Sequence, residues 1–322
     1  MAQFIDVHQH ILPDVYVEAV SAEAIGKQGS SGRLPRWSVE DALRQMDTSG
    51  IATAITSISS PGLLVQDATV AVPLARACND FAAELTVRHS GRFGMFTTVP
   101  LTDIDSALVE VRYGYEQARA DGICLLSNFN GKYLGDPHYW PLYEELDRRN
   151  AVVFVHPTSA QHRVDIEGLS ASSMEFTFDT ARALASLIFS GCLHRFPGIR
   201  FIFSHMGGAF PYIAERIGVL TRNNPRLQTF IPNGISAELA KVYFDTALSA
   251  NAVTFAAMAE IAGLNNVLFG TDYPFGPPQP MTSAVDSLRA TLQQRGDAAD
   301  NLHRIARGSA ETLFPRFRRQ TA

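Results

Sequence analysis

The sequence predicts an α/β fold, a (β/α)8 TIM barrel with an insertion after strand 1, and three observations carry that prediction. Eight short runs rich in Val, Ile, Phe and Thr recur at about residues 4–7, 51–58, 93–99, 122–127, 152–156, 200–204, 241–246 and 267–271. Their low charge suits parallel strands buried on both faces. Segments with helical period and helix punctuation separate them. Strand and helix in alternation, joined by right-handed crossovers, give a parallel sheet, and eight strands close it into a barrel. The third observation is that four runs end on metal-ligating residue types. Phe4-Ile5-Asp6-Val7 leads into His8-Gln9-His10, and 152–155 into His156-Pro157. The run 199–203 leads into Ser204-His205-Met206-Gly207-Gly208, and 267–270 into Thr271-Asp272-Tyr273-Pro274. Groups so far apart in sequence meet only where the C-terminal ends of the strands lie together, the active-site end of a barrel.

The elements follow in order. After the first run comes a long connection over 11–37, with Gly26, Gly29 and Gly32 in a Ser/Gly-rich stretch and Leu34, Pro35 and Trp37 as apolar anchors. Loops beyond about 12 residues in a compact domain are commonly functional. It is read as a lid or a subunit-contact arm, with an arm folded over its own barrel as the alternative. Ser38 is a helix N-cap with Asp41 as its capping-box partner and Gly50 as the stop. Asp136-Pro137 supplies a cap and a first-turn proline for a helix ending near Asn150. Residues 174–194 read as one long helix, 209–222 as another, and Ser249 to Gly263 as a third. Pro274, Pro277, Pro278 and Pro280 stiffen the rim after the last run.

Composition bounds the partners. The 322 residues read as one domain, 1–322, with 46% hydrophobic and 18% charged residues, enough for a large core. A net charge of -5, with a basic cluster only at Arg316 to Arg319, argues against nucleic acid. No apolar run approaches the ~18 residues of a membrane span. The first strand begins within four residues, leaving no room for a signal peptide. Cys78, Cys124 and Cys192 are scattered and odd in number, which fits buried, reduced thiols in a cytoplasmic protein.

In a strand, residues i and i+2 face the same way, so His8 and His10 can reach one ion. With His156 and Asp272 they form the expected metal site. Imidazole nitrogens with one carboxylate suit Zn²⁺, with Mn²⁺ possible and one position open for water or substrate. A second ion would call for a bridging lysine or glutamate at the end of the fourth run. That run ends Cys124-Leu125-Leu126-Ser127-Asn128, with Lys132 beyond it, so one ion per subunit is expected. His205 is either a fifth ligand or an acid/base, and with four ligands in hand the acid/base role is favoured; Asp272 is the second catalytic candidate. His162, Arg163, Trp37, Phe178 and Tyr273 flank the site loops and are candidate substrate contacts, with Phe176 beside them. No glycine-rich phosphate motif is visible, so no organic cofactor is expected.

His-x-His, His-Pro, Ser-His-x-Gly-Gly and Gly-Thr-Asp-Tyr-Pro, in that order, resemble the amidohydrolase superfamily, over about residues 4–316. More narrowly they resemble its decarboxylase branch, and within it the 6-methylsalicylate type. The shared stretches are Tyr133-Leu134-Gly135, Ala151 to Thr158 and Tyr243-Phe244-Asp245-Thr246-Ala247. The resemblance implies His8, His10, His156 and Asp272 as ligands and His205 as a catalytic histidine. It also implies a homodimer or homotetramer acting on a small carboxylic acid. Non-oxidative decarboxylation of a 2-hydroxybenzoate such as a methylsalicylate is the implied activity. Metal-dependent hydrolysis of an ester, lactone, amide or C–C bond by the same site is the alternative. Two positions depart from γ-resorcylate decarboxylases, which have glutamate where this chain has His8 and Gly208. The branch resembled also includes aminocarboxymuconate semialdehyde decarboxylase, and Arg33 and Arg36 lie near the place of its substrate-binding arginine, but neither aligns with it.

Overall fold

The computed structural model describes residues 4–64, 67–276 and 279–318. Eight barrel strands appear where the apolar runs place them: β1 Phe4–His10, β2 Ile51–Ser57, β3 Phe93–Thr98, β4 Gly122–Leu126, β5 Val152–His156, β6 Arg200–Phe203, β7 Tyr243–Asp245 and β8 Val267–Leu268. Each pairs in parallel with the next. The ring is drawn shut beyond β8 by three backbone bonds: Val7 N–H to Phe269 O at 2.9 Å, Asp272 N–H to His8 O at 2.9 Å, and His10 N–H to Tyr273 O at 2.7 Å. β7 and β8 are shorter than their apolar runs, because the backbone after Leu268 leaves ideal strand geometry to shape the site.

The interior of the barrel is an apolar plug. Ile5, Val7, Ile55, Phe96, Phe154, Ile202 and Leu268 pack together, and Phe314 and Phe317 from the C-terminal segment join them. Phe96 stacks on Phe154 at 5.2 Å and meets Phe314 edge-on at 6.0 Å. Burying each large apolar side chain contributes about 1.5–3 kcal/mol, so this plug is a major source of stability. A second, larger core lies between the outer faces of the strands and the helices.

Ser38 caps the helix Val39–Ser49 by accepting from Asp41 N–H at 3.1 Å, and Gly50 ends it with φ 73°. The Asp41 carboxylate has another use than the expected capping box: it accepts from Tyr273 O–H at 2.9 Å. The expected helix over 174–194 is two helices, Ala171–Phe189 and Cys192–Arg195, because Gly191 turns left-handed between them (φ 79°). The third helix is Ala252–Ile261, since Asn251 is the cap that accepts Thr254 N–H at 3.0 Å.

The connection after β1 folds over its own barrel. It carries two short helices, Asp14–Val20 and Ala22–Gly26, with Tyr16 and Ile25 fully buried. Trp37 packs on Phe81 of the same chain at 5.9 Å. Leu34 and Trp37 pack in part against the core of their own chain and stay half-buried. Pro277, Pro278 and Arg319 lie outside the described residues. Among the described residues, no helix is long and apolar enough to cross a membrane. All three cysteines are free and buried.

Candidate metal centre

His8 and His10 leave the end of β1 with their Nε2 atoms 3.1 Å apart. Asp272 Oδ1 lies 3.2 Å from the first and 3.1 Å from the second. With His156 from the end of β5, one donor atom from each of the four residues falls within 4.8 Å of every other, and all four residues are buried. The strand β1 reaches this geometry through a register irregularity between Asp6 and Gln9. One of the donors, Asp272, sits on strained backbone with φ 66°, as do the neighbouring His205 with φ 53° and Met206 at 54°. Left-handed φ at non-glycine residues costs of order 1–3 kcal/mol and persists where the surroundings enforce it, commonly at functional sites.

The hydrogen bonds on the far side of each ring decide what faces inward. His156 Nδ1 lies 2.8 Å from Pro157 O, and His205 Nδ1 lies 2.8 Å from Ala247 O. A carbonyl oxygen only accepts, so both rings carry Nδ1–H and present an Nε2 lone pair. Asp245 Oδ2 holds His8 Nδ1 at 2.9 Å in the same way. Ser57 Oγ donates to Gln9 O and lies 3.0 Å from His10 Nδ1, which it accepts from. With each ring in its neutral form, three imidazole Nε2 lone pairs and a carboxylate oxygen thus converge. A cation is what such a donor set fits.

The electrostatics say the same. Burial opposes charge on His8, but the Asp245 and Asp272 carboxylates outweigh it and raise the imidazole to about 10. Burial lowers His10, and burial with its cationic neighbours holds His156 well below the usual histidine range. Burial pushes Asp272 up, yet His8, His10 and His205 reverse this and hold its carboxyl well below the usual carboxylate range. The cluster is built for a positive charge at its centre.

A cavity of about 320 Å³ opens over the cluster and is bordered by His156, His205 and Asp272. Its walls are Phe176, Phe275 and Leu248, with Ser172, Ser173 and Thr177 beside them and Gln28, Gly29 and Ser30 of the arm as a roof. His205 lies outside the convergence of four, with its ring centroid 5.1 Å from that of His8. The other candidate contacts fall elsewhere. His162 and Arg163 are exposed, and Arg163 binds Asp165 at 2.7 Å. Phe178 points outward, 39% exposed, while Phe176, two residues before it on the same helix, reaches the cavity. Tyr273 is buried against Asp41, and half-buried Trp37 packs on Phe81; neither lines the cavity. Sequence reasoning missed Asp245, whose only signal is its place as a carboxylate at the end of the seventh apolar run.

The amidohydrolase family model matches residues 5–316. The chain belongs to the amidohydrolase family. Among its relatives, a 6-methylsalicylic acid decarboxylase of Penicillium expansum is 34% identical over 325 residues, covering 98% of this chain and 97% of that one. A 6-methylsalicylic acid decarboxylase of Aspergillus aculeatus is 34% identical over 332 residues, covering 99% and 98%. The crystal structure of a 5-carboxyvanillate decarboxylase from Sphingomonas paucimobilis shares the fold, with a TM-score of 0.83 at 23% identity over 98% of this chain and 99% of that one. Gly208 has φ 62°, and a Cβ there would meet Thr177 O at 2.1 Å, so this backbone has no room for a glutamate at that position.

Proposed function

We propose that this chain is a metal-dependent, non-oxidative decarboxylase, a carboxy-lyase acting on a small aromatic acid of the 2-hydroxybenzoate type such as a methylsalicylate. The observation that carries the proposal is the convergence of His8, His10, His156 and Asp272 beneath a cavity walled by Phe176 and Phe275. The relatives named 6-methylsalicylic acid decarboxylase at 34% identity support it. The donor set suits one divalent ion per subunit, Zn²⁺ preferred and Mn²⁺ possible, which when bound supplies Lewis acidity toward the substrate's carboxylate and ortho oxygen.

The chain's own residues do the rest. Losing CO₂ from an aryl acid leaves an unstable carbanion unless the ring carbon is protonated first, and the phenol ring itself then takes up the electron pair. No organic cofactor is called for. His205 borders the cavity with Nδ1–H fixed on Ala247 O, so Nε2 is its proton-exchanging atom. Asp272 also borders the cavity, but between His8 and His10 it is held as a carboxylate. In this arrangement His205 is the group placed to exchange a proton with the substrate, and Asp272 delivers one only after leaving those two rings. Phe176 and Phe275 offer the ring apolar faces.

Hydrolysis through an activated water remains chemically open to the same donors; the relatives' names weigh against it. Assaying CO₂ release from a panel of salicylates with Zn²⁺- or Mn²⁺-loaded protein, alongside aryl esters and lactones, separates the two. Release of CO₂ from a methylsalicylate is expected. Inactivity across the salicylates with turnover of an ester or lactone would replace the proposal by the hydrolase reading. A cytoplasmic homodimer or homotetramer completes the proposal, and light scattering showing a single 35.2 kDa chain would remove the oligomer.

A further inference from the structure

We infer that Asp245 is a positioning residue that sets the proton of His8 and the backbone of His205 at once, coupling the ligand cluster to the acid/base. The inference rests on the reading of His8 as a metal ligand. Asp245 is fully buried at the end of β7, and its two oxygens have separate duties. Oδ1 accepts the backbone N–H of His205 at 3.1 Å and that of Ala247 at 2.9 Å. Oδ2 faces His8 Nδ1 at 2.9 Å. The first duty clamps the residue whose φ is 53° and also the residue whose carbonyl fixes the His205 ring. The second places the His8 proton on Nδ1 and leaves Nε2 free to face His10 and Asp272. Gly270 makes the approach possible, since a Cβ there would stand 2.9 Å from His8 Cβ and 3.1 Å from Asp245 Cγ.

The arrangement makes an unusually sharp substitution available. In Asp245→Asn the side chain keeps its size, but its two ends are no longer alike. Two backbone donors converge on the Oδ1 position, so the amide oxygen must stay there, and the NH₂ falls opposite His8 Nδ1. A donor facing Nδ1 forces that nitrogen to accept and moves the ring proton to Nε2, the atom turned toward the cluster. The variant therefore keeps the His205 clamp and loses the His8 lone pair. Ser57→Ala is the control. It removes the Nδ1 partner of His10 and imposes no tautomer, because nothing that donates replaces the hydroxyl.

The test measures metal affinity by chelator competition, the visible absorption of the Co²⁺-loaded protein, and the thermal midpoint of the metal-free protein. Asp245→Asn should weaken metal binding roughly 10–100-fold, the range for lost outer-sphere partners, and change the Co²⁺ spectrum. Its metal-free midpoint should fall with the lost Asp245–His8 ion pair, and the Co²⁺ spectrum is the readout that a merely structural role would leave unchanged. Ser57→Ala should weaken binding clearly less than Asp245→Asn. An Asp245→Asn protein that binds metal within about threefold of the parent with an unchanged Co²⁺ spectrum overturns the inference. So does one whose loss is matched by Ser57→Ala. A parent that binds no metal would instead refute the ligand reading beneath it. Should the Asn variant fail to fold, Gly270→Ala probes the same contact, and unchanged metal affinity there would equally count against the coupling.

Discussion

The two ends of the barrel interior obey opposite rules. At the N-terminal end of the strands, Ile5, Ile55, Phe96 and Phe154 fill the space with Phe314 and Phe317 across the mouth, on ordinary backbone, and the charges nearby, Arg307 and Asp121, are taken up by Phe317 O and Arg316. At the C-terminal end, a few ångströms on, His8, His10, His156, Asp245 and Asp272 are buried together, and the backbone of His205 and Asp272 is left-handed. Phe154 touches both worlds: it stacks on Phe96 at 5.2 Å and meets the His8 ring at 4.9 Å. The apolar end provides the rigidity that holds the polar end in an arrangement it would not adopt by itself. Buried polar groups cost free energy unless they are fully partnered, and here the partners are one another and backbone carbonyls.

The largest expected effect separates roles within the polar end. His156→Ala should remove the metal and abolish turnover. His205→Ala should lower turnover by roughly 10²–10⁴-fold, the usual contribution of a positioned acid/base, while most of the metal stays. Elemental analysis of both variants reads the difference, and equal metal loss would make His205 a ligand.

The next prediction probes the division between the ends. Phe314→Ala should cost about 3–5 kcal/mol of stability by opening a cavity in the plug, seen as a lower urea midpoint, and should leave metal stoichiometry unchanged. Phe154→Ala should cost a similar amount and also weaken metal binding, because it frees the His8 ring. If both variants lose metal alike, the two ends are not separable in the way described.

The smallest effect concerns the thiols. Burial pushes Cys78 and Cys124 up to about 12, and Cys192 beyond that range. Their folded pKa values lie above the usual 9.0, so their contribution to stability is complete below about pH 9. It is lost as the pH rises toward about 12, because the unfolded chain ionises first. At pH 8 a thiol reagent should leave all three unmodified in the native protein and react fully in denaturant. Rapid modification of the native protein would contradict their burial.

The same contrast explains what the sequence could reveal. The apolar plug and the strands are written as continuous runs, so the barrel could be read directly. The four converging donors could be read too, because each directly follows such a run. What escaped depends on side-chain direction and on partners distant in the chain. Asp245 ends a strand of three residues, and its meaning lies in contacts to His8 and His205 that no local pattern encodes. Phe178 and Phe176 differ by two positions on one helix, which turns one outward and the other into the cavity. Tyr273 and Trp37 adjoin the site in sequence, but Asp41 and Phe81 draw them off it. The arm's serines and Gln28 roof the cavity through loop geometry that composition does not fix.

The central claim is that four residues from three strand ends build one metal site and that this site removes CO₂ from an aromatic acid. Titrating chelator-stripped protein with Zn²⁺ or Mn²⁺ while following CO₂ release from 6-methylsalicylate tests it most directly. The rate should rise in proportion to added metal and break at one ion per chain. Release of CO₂ that is indifferent to metal, or a break at two ions, would contradict it.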